Sequence, residues 1–167
     1  MEIRDKEKQR CMMHDARSFG SNSKVSETSG NVTTADDGRR AEGDGRLRIA
    51  IADDDPVILD QICSLLGTRY DVVARAADGR ALVASVQELL PAVVVSDITM
   101  PEINGIEAAR QITQTCPGVK VIMLSVHDDP VYVEAALEAG ASGYVLKLGA
   151  SSELIPAIED AVAGKPH

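Results

Sequence analysis

Five side chains with reactive or charge-bearing groups fall at the ends of four short apolar runs in this chain of 167 residues. Asp53 and Asp54, followed by Asp55, close the run 47–52. Asp97 closes 92–96, Ser125 closes 121–124, and Lys147 closes 143–146. Carboxylates converging on one spot repel each other and hold their protons more tightly unless a cation sits among them. An oxygen-only donor set of high charge suits Mg²⁺, which takes one or two carboxylates together with water and phosphate oxygens. Asp97 is the best nucleophile candidate: one oxygen would share the metal while the other attacks phosphorus to give an aspartyl phosphate. Lys147, a point charge, is placed to pair with Asp97 and then with the phosphate, and the Ser125 hydroxyl to donate to a phosphate oxygen. Taken singly, each has a plainer reading. Aspartates cap helices or sit in turns, Ser125 would be a turn hydroxyl, Lys147 a solvated charge, and Tyr144 a core residue with a wet hydroxyl. The order and spacing of the whole set outweigh those readings.

The elements that would position these groups alternate strand and helix from Leu47 onward. The spacing predicts strands over 47–52, 71–76, 92–96, 119–124 and 143–146. The run 92–96 is apolar throughout, as in a strand buried on both faces. Ile58, Ile62, Leu65 and Leu66 give a helical stripe, with Asp55 as cap, Pro56 in the first turn and Gly67 as the stop. Asp78 caps a helix to about Leu90. Ile106, Ala109 and Ile112 mark a third, and Asp129-Pro130 opens a fourth that stops at Gly140. Ser151 is expected to cap a last helix carrying Leu154, Ile158, Ala161 and Val162, inside which Pro156 is a misfit. Five such units imply an α/β fold, a doubly wound parallel sheet of five strands covered on both faces. With the acidic strands one and three as central neighbours, the order is 2-1-3-4-5 and the site lies at the switch point, outside the carboxyl ends of the strands.

The net charge is −9, from 17 basic and 26 acidic groups. Nine of each fall in residues 1–46, leaving eight basic and 17 acidic groups in residues 47–167. So acidic a segment is not expected to bind nucleic acid directly, because phosphate contacts need Lys and Arg. It suits a basic partner or a cation. Residues 1–46 are polar, poor in large apolar side chains and expected to form a disordered extension; residues 47–167 are long enough to bury a core. Cys11, Cys63 and Cys116 show no pairing or metal-ligand spacing, and the last two are expected in the core. The odd count fits a reducing compartment. No run is long enough for a membrane span, and the charged opening lacks a signal core, so a cytoplasmic location is expected.

Together these residues resemble the receiver domain of bacterial two-component response regulators, over about 47–165. The carrying segments are Ile51-Ala52-Asp53-Asp54-Asp55-Pro56, Val95-Ser96-Asp97-Ile98-Thr99-Met100-Pro101, Asn104-Gly105, Leu124-Ser125, Gly140-Ala141 and Gly143-Tyr144-Val145-Leu146-Lys147. The wording near Asp53–Pro56 and Gly105-Ile106-Glu107-Ala108 looks like the subclass that drives a LuxR-type DNA-binding domain. The resemblance implies a flavodoxin-like receiver in which Asp97 accepts a phosphoryl group from a sensor histidine kinase. It implies Mg²⁺ held by Asp53, Asp54, Asp97 and the Thr99 backbone carbonyl, with Asp54 the direct ligand and Asp53 acting mainly through water. Ser125 and Lys147 would bind the phosphoryl oxygens, and Tyr144 would be the switch aromatic. The face made by the fourth helix, fifth strand and fifth helix would engage an effector, an output domain or a second copy. Such a domain is a switch rather than a turnover enzyme. The alternative within the family is a free-standing relay or a binding module without DNA output. Leu148 replaces the proline that often follows the lysine. A cis bond before a non-proline costs about 3–4 kcal/mol, so that loop geometry is not expected here. A phosphatase of the haloacid-dehalogenase type would need an acidic residue where Thr99 stands.

Overall fold

The computed structural model of the protein describes residues 45–167, so the extension expected over 1–46 lies almost wholly outside the described residues. The described chain alternates β1 (Arg48–Ala52), α1 (Pro56–Gly67), β2 (Asp71–Ala76), α2 (Gly79–Leu89), β3 (Val93–Asp97), α3 (Gly105–Thr115), β4 (Lys120–Ser125), α4 (Pro130–Glu138), β5 (Gly143–Leu146) and α5 (Ala150–Val162), with a 3-10 turn at Lys147–Gly149. The sheet order is β2-β1-β3-β4-β5 and every neighbouring pair is parallel. This is the doubly wound arrangement that the alternation implies.

Period-two alternation splits the core into two layers. Ile49, Ile51, Val93, Val95, Ile122 and Leu124 face Leu59, Ile62 and Leu66 of α1 and Leu154, Ala157, Ile158 and Ala161 of α5. Ala50, Ala52, Val94, Val121 and Met123 face α2, α3 and α4, whose contributions include Leu82, Val86, Ala108, Ile112 and Ala136. Every residue of β3 is buried, Asp97 included. The strand carrying the candidate nucleophile is therefore fixed from both sides.

Four helices start on an Asx cap. Asp55, Asp78, Asn104 and Asp129 each accept from a backbone N–H of the first turn, satisfying donors that would otherwise be orphaned. The fifth departs from expectation. α5 begins at Ala150 with Gly149 at its cap position and no side-chain cap. Ser151 is not the cap, because the 3-10 turn leads directly into the helix. Ser152 Oγ instead donates to the Gly149 carbonyl at 3.1 Å. Pro156 does lie inside α5; it is exposed, so the carbonyl one turn back that it leaves unpaired is on the wet side of the helix.

Smaller differences concern element ends. β3 and β4 each run one residue further than the apolar pattern suggests, so Asp97 and Ser125 are themselves the last strand residues. Gly67 is the last residue of α1, and Thr68 caps it in a right-handed conformation. Leu90, at φ 47°, ends α2 just before Pro91. Cys116 is buried, as expected, whereas Cys63 is half-buried on α1. No cis peptide occurs among the described residues, and Leu148 is almost fully exposed.

Candidate functional site

Parallel register brings the candidate residues to one end of the sheet. Ala52 pairs with Ser96, so Asp53 and Asp97 follow at the ends of adjacent central strands. Asp97 pairs with Leu124, and Ser125 with Leu146, placing Ser125 and Lys147 one step further out. Asp53 is 1% exposed and Asp97 4%, while Asp54 is exposed. One carboxylate oxygen from each of the three lies within 4.8 Å of the others.

Lys147 reaches into this cluster. Its Nζ is 2.7 Å from Asp53 Oδ2 and 3.2 Å from Asp97 Oδ1, so the expected pairing with Asp97 is present and a closer one with Asp53 accompanies it. Asp53 Oδ1 accepts from the Asp55 N–H at 2.9 Å. Asp53 Oδ2, although the ammonium is near, has no hydrogen-bond donor in good alignment. The contact is thus an ion pair that leaves a buried anionic oxygen incompletely satisfied, a costly arrangement without a further cation. Burial raises the Asp97 pKa above the usual 3.8, with Lys147 opposing and Asp53 reinforcing the shift. For Lys147, burial acts downward, but the contacts with Asp53 and Asp97 more than offset it, and the net direction is upward.

The loop after Asp97 is held by close packing. Ile98 and Met100 are buried, and the Gly105 N–H donates to the Ile98 carbonyl at 2.8 Å. A Cβ on Gly105 would stand 1.9 Å from the Asp97 carbonyl oxygen, and one on Gly79 would stand 2.1 Å from that of Ile103. Only glycine fits either place. The sequence marks Gly105 in the Asn104-Gly105 pair that ends the loop after Asp97 and gives Gly79 no such mark beyond the turn dipeptide Asp78-Gly79. Glu102, at φ 64°, pairs with Arg80 at 3.3 Å. Thr99 is exposed on this loop.

Ser125 and Tyr144 are linked through the backbone of His127. The buried Ser125 Oγ accepts from the His127 N–H at 3.0 Å, and the Tyr144 hydroxyl donates to the His127 carbonyl at 2.7 Å. The His127 ring stacks on Tyr132 with centroids 4.5 Å apart.

The response regulator receiver domain family matches residues 49–159. The chain belongs to that family. As a receiver it is 38% identical over 123 residues to the transcriptional regulatory protein DegU of Brevibacillus brevis, covering 72% of this chain and 52% of the relative. It is 38% identical over 120 residues to UhpA of Escherichia coli (strain K12), covering 71% and 60%. It therefore spans about half the length of the curated relatives it matches. Among solved structures, a two-component response regulator of the LuxR family from Aurantimonas sp. SI85-9A1 superposes with a TM-score of 0.69 at 37% identity, over 72% of this chain and 88% of that one. The non-phosphorylated receiver domain of the stress response regulator RcsB from Escherichia coli gives 0.67 at 29%, over 72% and 96%. The receiver's relatives are thus LuxR-family transcriptional regulators, and its own fold is the flavodoxin-like one.

Proposed function

We propose that Asp97 accepts a phosphoryl group from a histidine kinase and that its esterification switches a partner-binding surface. The observation that carries this reading is the Lys147 ammonium lying between Asp53 and Asp97, with the Asp54 carboxylate beside them. That cluster needs a cation, and Asp53 Oδ2 lacks an aligned donor; both fit a divalent ion. Asp53, Asp54, Asp97 and the Thr99 carbonyl would hold Mg²⁺, which when bound supplies charge neutralisation and a grip on phosphoryl oxygens.

In the transfer, Asp97 presents a carboxylate oxygen to the phosphorus of a phosphohistidine. The O–P bond forms as the P–N bond breaks, and the imidazole leaves with the electron pair. Lys147 pairs with the growing negative charge on the phosphoryl oxygens, and the Ser125 hydroxyl donates a hydrogen bond to one of them. Burial of Asp97 keeps bulk water from the carboxylate and from the acyl phosphate that results. Later hydrolysis returns inorganic phosphate and the carboxylate, so the domain resets without being a turnover enzyme.

The face of α4, β5 and α5 is the surface we assign to an effector, an output domain or a second copy. LuxR-family relatives support transcriptional output; a free-standing relay is the alternative. No helix among the described residues is long and apolar enough to cross a membrane; a cytoplasmic location is part of the proposal, as the place where a histidine kinase would meet its receiver. The division at residue 46 into a polar extension and a receiver belongs to the same proposal. The test is mass spectrometry after incubation with acetyl phosphate and Mg²⁺. The full chain gains one phosphoryl group and Asp97→Asn gains none; equal gain by both would overturn the acceptor assignment.

A further inference from the structure

The segment after α5 is built onto the open edge of the sheet. β5 is an outer strand, paired on one side with β4. Gly164, at φ 73°, reverses the chain after α5, and the Lys165 N–H donates to the Asp160 carbonyl at 2.8 Å. His167 then lies along β5. Its N–H donates to the Ser142 carbonyl at 3.4 Å, and its carbonyl accepts from the Tyr144 N–H at 3.2 Å. Bonds to the residues on either side of Gly143 are the pattern of a parallel strand pair. Gly143 permits the approach, since a Cβ there would stand 3.3 Å from the His167 Cβ. The His167 ring is fastened separately, with Nδ1 3.1 Å from Asp160 Oδ2.

Tyr144 is consequently held at two points. Its N–H is bonded to His167, and its hydroxyl to the carbonyl of His127, whose own N–H is bonded to Ser125 Oγ. Three hydrogen bonds, connected through the covalent frames of His127 and Tyr144, lead from the buried Ser125 hydroxyl to His167. The ring stack between His127 and Tyr132 ties the same loop to the first turn of α4, so a shift at His127 is felt at both places.

We propose that residues 165–167 form a strap on β5 whose docking is coupled, through Tyr144 and His127, to phosphoryl occupancy beside Ser125. The proposal rests on the phosphoacceptor reading of Asp97. Ser125 Oγ is placed by accepting from the His127 N–H. Donating to a phosphoryl oxygen draws the hydroxyl toward Asp97 and moves the His127 backbone with it, withdrawing the carbonyl from Tyr144. The strap is weakly held on β5: its two backbone bonds to that strand, at 3.2 and 3.4 Å, are long ones, and the contact of the His167 ring with Asp160 is partly exposed. A small displacement of Tyr144 is enough to release it. Linkage is reciprocal, so whatever docks the strap more firmly must disfavour phosphoryl occupancy by the same factor.

The test is amide hydrogen exchange on the full chain, resolved at Tyr144 and along residues 164–167, with and without acetyl phosphate and Mg²⁺. Without phosphodonor, the Tyr144 amide exchanges about fivefold faster in Asp160→Asn or in His167→Ala than in wild type, the factor expected from one net hydrogen bond. With phosphodonor, wild type shows the same acceleration in proportion to its gain in phosphoryl mass, and Asp97→Asn shows none. Equal exchange in wild type and both strap variants without phosphodonor would show that the strap is not docked. A full mass gain with unchanged Tyr144 exchange would overturn the coupling while leaving the phosphoacceptor reading intact. Absence of any mass gain in wild type would instead remove that reading and the coupling with it, leaving the comparison without phosphodonor to decide docking alone.

Discussion

Lys147 is the residue on which charge balance at the site turns. It answers two buried carboxylates at once, one at 2.7 Å and one at 3.2 Å. Removing one partner of a fully buried pair costs roughly 3–5 kcal/mol; Lys147 keeps some contact with solvent, so Lys147→Ala is expected to lose about 2 kcal/mol in metal-free buffer. Mg²⁺ should restore part of that loss, as denaturant titration with and without the ion would show. Because the phosphate also loses its counter-charge, partner affinity in this variant should no longer respond to phosphorylation. Retained full response would contradict the role given to Lys147.

The Asp97 carboxyl links protonation to both folding and metal binding. Burial raises its pKa above 3.8, so the folded state holds the proton more tightly than the unfolded chain does. The group therefore favours folding at low pH, and that contribution is lost as pH rises through the ordinary value and then the raised one. The same proton competes with a metal ion. Mg²⁺ affinity, followed by calorimetry, should begin to fall on acidification at a pH above 3.8. Asp97→Asn should lack this component.

At the scale of elements, the strands were legible and the last helix start was not. Apolar runs bounded by turn residues marked the strands, most plainly β3 and β4, which the parallel sheet buries on both faces; β2, at the edge, is only half-buried. The strand ends slipped by one where a polar residue, Asp97 or Ser125, remains in the ladder. The carboxylates and Lys147 could be read because each follows such a run. The two glycine contacts could not: a backbone approach between Gly105 and Asp97, or Gly79 and Ile103, leaves no periodic trace. Nor could the hub at His127, which acts mainly through its backbone. Ser151 looked like a cap because the sequence does not announce the 3-10 turn before it. Ser151→Ala should accordingly change stability by less than about 0.5 kcal/mol, as for a surface position without a specific bond. Pro156→Ala should raise stability by about 1–3 kcal/mol in the same unfolding titration by restoring a helix hydrogen bond.

Across the whole molecule, burial is uneven in a way that suits a switch. β3 is buried at every position, whereas α4 buries only Ala136 within its span and exposes Val131, Tyr132 and Leu137. Regions with few buried contacts open at lower free energy. Hydrogen exchange should therefore find β3 among the slowest segments and α4 the fastest of the five described helices; equal protection of the two would contradict this contrast in packing. The acidic excess of residues 47–167, 17 groups against eight, favours a basic partner face.

Chemical trapping can locate the phosphoryl group on the chain. After incubation with acetyl phosphate and Mg²⁺, borohydride reduces an acyl phosphate to the corresponding alcohol, and peptide mapping reads its position. A reduced side chain is expected at Asp97 and at no other residue. A reduced carboxylate at Asp53 or Asp54 instead, or a phosphoryl adduct on His127 or Ser125, would contradict it.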